Sequence, residues 1–225
     1  MFRWGLYSLR NLWARRVTTA LTVVGLGLVV FVLLAVLMLA HGLEQTLGKT
    51  GDPENVIILR KGALSEIGSS LSREEIRAVA AQPDVRLTAD GRPLAVAEVG
   101  LQLTLRKGQG GSLTSVTLRG TAPEALAVRP AIRLIQGRLW KPGTTEIVVG
   151  ASIARQFPDA RVDRVLHFGN WAWTVVGVFE AGGSGFDSEV WGDAEQFLAT
   201  FHRATFSSMT LRLAHPATLP AFKDR

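Results

Sequence analysis

Val17 to Ala40 is a run of 24 residues without a single charge. A helix rises 1.5 Å per residue, so the run reaches about 36 Å and can cross the ~30 Å hydrocarbon core of a bilayer with some tilt. Two other readings compete with a retained span. A buried core helix of a soluble domain is rarely this long and apolar on every side. A cleaved signal peptide has an apolar region of roughly 7–15 residues and a small-x-small cleavage pattern. Here the run ends Leu37-Met38-Leu39-Ala40-His41, with Leu two positions before Ala40. The expectation is therefore a transmembrane helix over 17–40.

Charge gives the span a direction. Residues 1–40 hold Arg3, Arg10, Arg15 and Arg16 and no acid, whereas the rest holds 21 Lys+Arg against 19 Asp+Glu. Arginines beside a span stay on the cytoplasmic side. These four are the expected topology determinants, with the N-terminus cytoplasmic and residues 41–225 outside. The overall charge of +6 is thus mostly a topology signal. Nucleic-acid binding would need a basic face on the domain itself, so no nucleic-acid partner is expected. Residues 1–16 mix Phe2, Trp4, Leu6, Leu9, Leu12 and Trp13 with those arginines. Such a mixture suits a cytoplasmic interfacial segment at the lipid headgroups.

Beyond the span, some 185 residues remain, enough for one sizeable core or two small subdomains. There is no cysteine, so neither a disulfide framework nor thiolate chemistry is available. Asn55 to Leu59 is a short apolar run read as a buried strand. Ser72 and Glu75 have capping-box spacing for a helix to Ala81, with Leu71 and Ile76 as a hydrophobic staple and Pro83 as the stop. Leu101, Leu103 and Leu105 alternate with polar residues. Lys107 to Ser112 turns, and Leu113 to Arg119 returns. One or two helical turns over Pro123–Val128 follow, then strands at Ile132–Ile135 and Glu146–Val149, with Gly137 and Pro142-Gly143 as punctuation. Ala151 to Phe157 reads as a short helix. Gly169-Asn170 between Val165–Phe168 and Trp171–Phe179 is a two-residue hairpin signal. Asp193 caps a helix to Phe201, Ser208 to Leu213 is a further strand, and a last helix starts near Ala217. Strands and helices mix irregularly, so the fold class is α+β: one N-terminal transmembrane helix, then an extracytoplasmic mixed α/β domain of two subdomains.

Catalytic signatures are missing from the sequence. No phosphate-binding loop of the G-x-x-x-x-G-K-[ST] kind and no G-x-S-x-G elbow occurs. His41, His167, His202 and His215 lack metal-ligand spacing. His167 lies in a strand, where packing or exposure accounts for it. Gly182-Gly183-Ser184-Gly185 reads as a mobile surface loop, and Glu74-Glu75 as carboxylates suited to a helix start. The expectation is no enzyme, no cofactor, no metal and no catalytic residue. Gly25 and Gly27 are candidate helix-contact positions, since small residues let spans approach closely.

The stretch Leu9-Arg10-Asn11-Leu12-Trp13-Ala14-Arg15-Arg16-Val17-Thr18-Thr19 and on to Gly25 and Gly27 resembles the opening of MacB/FtsX-type ABC transporter permeases. Asn55 to Gly62 with Ser65-Glu66 resembles the start of the MacB-like periplasmic core domain. Gly137-Arg138-Leu139-Trp140, Glu146 to Gly150, Trp173 to Phe179 and Glu189 to Asp193 are similar to its later segments. The resemblance covers nearly the whole chain. It implies an inner-membrane permease subunit with four spans that dimerises and is driven by an ABC ATPase subunit. ATP-driven closure would pass through long helices to the periplasmic domain, so that the protein transmits force. It also implies a second permease subunit, homo- or heterodimeric, and in many members a periplasmic membrane-fusion adaptor. The chain stops at Arg225, so the expectation is a C-terminally incomplete core domain without the later spans. The alternative is a stand-alone membrane-anchored periplasmic binding or adaptor module.

Overall fold

The computed structural model describes residues 16–48, 54–108 and 111–223, which fall into two compact units divided between residues 48 and 49. The first unit is one helix, α1, Arg16–Gly48. Its 33 residues correspond to about 50 Å of helix. The stretch Arg16–Gly42 is long and apolar enough to cross a membrane, with mean hydropathy 3.1 over its candidate window and no residue of that window buried. Thr22 Oγ1 donates to the Thr18 carbonyl at 2.9 Å, which satisfies a hydroxyl inside the helix itself. The helix continues past Ala40 without a break. The expected interfacial segment, 1–16, lies outside the described residues apart from Arg16.

Among the described residues the second unit carries nine strands in one sheet: β1 (Asn55–Ile58), β2 (Ala95–Arg106), β3 (Leu113–Thr121), β4 (Arg133–Gly137), β5 (Glu146–Gly150), β6 (Val165–Phe168), β7 (Trp171–Glu180), β8 (Glu189–Asp193) and β9 (Ser208–Arg212). Their spatial order is β1-β9-β2-β3-β8-β5-β7-β4, with β6 paired to β7. Helices α2 (Arg73–Ala80), α3 (Ala125–Val128), α4 (Ala151–Gln156), α5 (Ala194–Thr200) and α6 (Leu219–Lys223) punctuate the strands. The mixed α/β fold is the one expected.

Strand β2 belongs to both halves of the domain. Residues Ala95 to Glu98 pair antiparallel with β9, and Val99 to Arg106 pair antiparallel with β3. Around β9 a small core gathers Leu71, Val85, Met209, Leu211 and Leu213 with the apolar side of α2. On the other half, Trp173 is wholly buried, stacked on Phe168 at 5.1 Å and met edge-on by Phe197 at 4.9 Å. Its indole N–H donates to the Phe168 carbonyl at 3.2 Å. Stacked and edge-to-face pairs at these spacings each add about 0.5–1.5 kcal/mol beyond area burial.

Local chemistry accounts for the boundaries. Both halves of the capping box form at α2: the Ser72 hydroxyl accepts from the Glu75 N–H, and Glu75 accepts from the Ser72 N–H at 2.6 Å. Asp193 caps α5, accepting from the Gln196 N–H at 3.0 Å. Gly169 and Asn170 have φ of 58° and 61°, the paired left-handed residues of a type I′ hairpin turn. One expectation needs correction. The 182–185 segment is fastened rather than loose: buried Asp187 accepts from the Ala181 and Gly183 N–H groups, each at 2.7 Å, and Ser184 is buried. Asp187, two residues after the last of these glycines, closes the turn back on itself.

Candidate functional site

Of the arginines expected to set topology, Arg16 begins α1 and is exposed, whereas Arg3, Arg10 and Arg15 lie outside the described residues. A Cβ built at Gly25 or Gly27 would meet nothing within 4 Å. The two glycines are two residues apart, about 200° around a helix, so one contact face cannot hold both. Among the described residues, no group of three or more His, Cys, Asp or Glu is placed to hold a metal ion.

Sequence reading missed the most concentrated chemistry in the domain. Where β2 passes from β9 to β3, five charged side chains meet in the interior. Glu98 has no exposed surface, and Arg119 and Arg129 are nearly as deeply buried. Arg129 donates twice to Glu98, at 2.9 and 2.5 Å, and once to the Thr210 hydroxyl at 2.9 Å. Arg119 uses all five of its donors. Nε and Nη2 grip Glu189 at 2.8 and 3.0 Å. Nη1 reaches Glu98 at 3.3 Å, and Nη1 with Nη2 grips Glu66 at 2.6 and 3.3 Å.

The remaining lone pairs are also used. Thr121 and Thr210 donate to Glu98, Ser208 donates to Glu66, and the Trp191 indole N–H donates to Glu189 at 2.7 Å. The Phe186 ring lies 5.3 Å from the Arg119 guanidinium and 5.2 Å from that of Arg129. Burial pushes the Glu98 carboxyl up, but the two guanidiniums and their hydrogen bonds outweigh it and hold it below its ordinary value. Burial likewise opposes charge on Arg119, and Glu189 with Glu98 overcomes it, raising the guanidinium well above its usual range. A signal for this site existed: Glu98 occupies the same alternation phase as Val96, inside an apolar strand. With every partner engaged, the cluster is suited to holding chain segments in place, and it leaves no free base or nucleophile.

A groove of about 520 Å³ lies beside it, between the C-terminal end of α2, the first residues of β2 and the turn after β3. Ala95, Ala97, Ala122, Pro123 and Phe206 line it, and Arg92, Glu124 and Glu195 stand among its polar residues. Glu195 is held by Arg73 at 2.6 Å and Glu124 faces Arg92 at 3.8 Å, so these acids are matched.

The model of the MacB-like periplasmic core domain matches residues 19–225, from within α1 onward. The chain belongs to this family. Members of the family are domains of ABC-type transporter permeases. The fold of this MacB-like domain is also that of two solved structures. The extracellular domain of the noncanonic ABC-type transporter YknZ from Gram-positive bacteria is 16% identical, with TM-score 0.55 over 75% of this chain and 87% of that one. The periplasmic region of MacB from Actinobacillus actinomycetemcomitans is 14% identical, with TM-score 0.57 over 76% of this chain and 81% of that one. No curated protein matches the chain by sequence.

Proposed function

We propose that this chain is a permease subunit of a MacB/FtsX-type ABC transporter, anchored in the inner membrane through residues 17–40, with residues 1–16 cytoplasmic and the domain from residue 41 periplasmic. A partner ATPase supplies the energy, and the subunit converts it into movement of the periplasmic domain during export or extraction of a substrate. A second permease subunit completes the dimer, and a periplasmic adaptor is a further partner. The observation that carries this reading is the family match from residue 19 to 225, which takes the apolar helix and the folded domain as one unit. Physics supports it too. A continuous helix of 33 residues exceeds the ~30 Å hydrocarbon core by about 20 Å, so a displacement at one end of the helix reaches its other end.

The test uses the absence of cysteine. A single cysteine at exposed Asp159 takes a spin label in the membrane-embedded transporter, purified with its ATPase. The distance between labels on the two permease subunits should differ between the nucleotide-free and ATP-bound states. Leu at Gly25 or at Gly27 should weaken the dimer at one of the two positions only, because they face different sides of the helix. Membranes from which no nucleotide-hydrolysing subunit co-purifies, or a label distance indifferent to ATP, would remove the proposal.

A further inference from the structure

Residues 59–70, between β1 and α2, form a loop closed on itself. The Arg60 N–H donates to the Ser69 hydroxyl at 2.9 Å and the Arg60 guanidinium to Ser70 at 3.0 Å, which pinches the base. Inside, the Ala63 N–H donates to the Arg60 carbonyl, the Ser69 N–H to the Glu66 carbonyl and the Gly68 N–H to the Ser65 hydroxyl. Compact loops of this size with adjoining ends behave as units. Two large apolar side chains ride on the loop: Leu64 is completely exposed and Ile67 is 41% exposed. Beyond the pinched base, the described hydrogen bonds from this loop to the rest of the domain all end on one side chain, Glu66. It takes two donors of Arg119 and the Ser208 hydroxyl.

The three carboxylates of the buried cluster are not equivalent. Glu98 has no exposed side-chain surface, and both ion-pair bonds of Arg129 go to it. Glu189 holds Arg119 through two bonds and also satisfies Trp191. The Glu66 side chain keeps 27% of its surface in water, against 11% for Glu189 and none for Glu98. Three carboxylates face two guanidiniums, so the departure of one acid leaves the remainder neutral. Solvent can take over the donors left behind most readily at Glu66. Removing Glu98 or Glu189 strands a buried partner, which is far more costly.

We propose that residues 59–70 are a strap latched to the sheet by Glu66, able to release from Arg119 as a unit and carry Leu64 and Ile67 with it while the strands stay paired. Glu66 is the clasp, Arg119 and Ser208 are the catch, and Glu98 with Glu189 keeps Arg119 neutralised when the clasp is open. This holds whatever the transporter moves.

Pulsed EPR and native-state hydrogen exchange on the full chain in lipid nanodiscs test the latch. With spin labels on Leu64→Cys and Asp159→Cys, both exposed, Glu66→Gln should broaden the distribution of distances between the labels at least about twofold, and the amides of β3, β5 and β8 should stay within about twofold of wild-type exchange. Glu98→Gln should instead loosen the strands and speed their exchange. If Glu66→Gln speeds the strands, or prevents folding, Glu66 is part of the core and the latch is wrong. If the distance distribution does not change, something other than Glu66 holds the loop and the latch is equally wrong. Strands left untouched by Glu98→Gln would erase the distinction between the two acids.

Discussion

Glu146 shows how one exposed pair shapes the acid behaviour of the domain. Its carboxylate accepts from both terminal nitrogens of Arg138, at 2.7 and 2.5 Å, and from the Lys141 N–H at 3.0 Å. These bonds, those from Arg138 first, lower its pKa to about 2. A depressed carboxylate adds stability above the unfolded-chain pKa and loses it as pH falls through the folded one. The contribution is therefore complete above roughly pH 4.5 and disappears towards pH 2. Arg138→Gln should lower the urea midpoint at pH 6, and the gap to wild type should narrow below pH 4.5 and close near pH 2. A gap independent of pH would assign the effect to packing of the Arg138 stem instead. In the sequence Arg138 stood only in a segment similar to the MacB-like domain, and Glu146 in another such segment and at the start of an expected strand, because nothing in their spacing says that the chain folds back to join them.

At the level of elements, most boundaries were legible. The capping box at Ser72 and Glu75, the Asp193 cap and the Gly169-Asn170 turn each rest on side chains within three residues of the backbone groups they satisfy. Helix α2 has only 8 residues, too short to persist without its caps and its packing. Ser72→Ala should cost about 1 kcal/mol, read as a lowered urea midpoint. A midpoint identical to wild type would mean that tertiary contacts alone hold the helix start. The split role of β2 was not legible. Its sequence is one continuous strand pattern, and the change of partner at Glu98/Val99 depends on β9, more than a hundred residues later. The fastened 182–185 turn was missed for a nearer reason: Asp187 follows a glycine run that by composition reads as a loose loop.

For the whole molecule, the proposed direction in the membrane rests on charge. Arg3, Arg10, Arg15 and Arg16 precede the span and residues 1–40 carry no acid, so the N-terminus should be cytoplasmic. A reporter active only outside the cytoplasm, fused after Lys223, should be active in the wild type. Replacing all four arginines by Glu should reduce that activity severalfold, as the retention signal is lost. An active cytoplasmic reporter at the same site in the wild type would reverse the topology.

By itself the sequence determined the apolar helix, its charge bias, the capped helices, the hairpins and the resemblance to MacB/FtsX-type permeases. All of these follow from residue type and short spacing. Tertiary structure alone decided which acids face which arginines. Glu66, Glu98, Arg119, Arg129 and Glu189 are spread over 124 positions and meet because β9, β2, β3 and β8 lie side by side. A lone charge in a strand states only that it must find a counterion once buried. The order of strands supplies the counterion, and with it the core that fixes this domain and the cluster's most exposed carboxylate, Glu66.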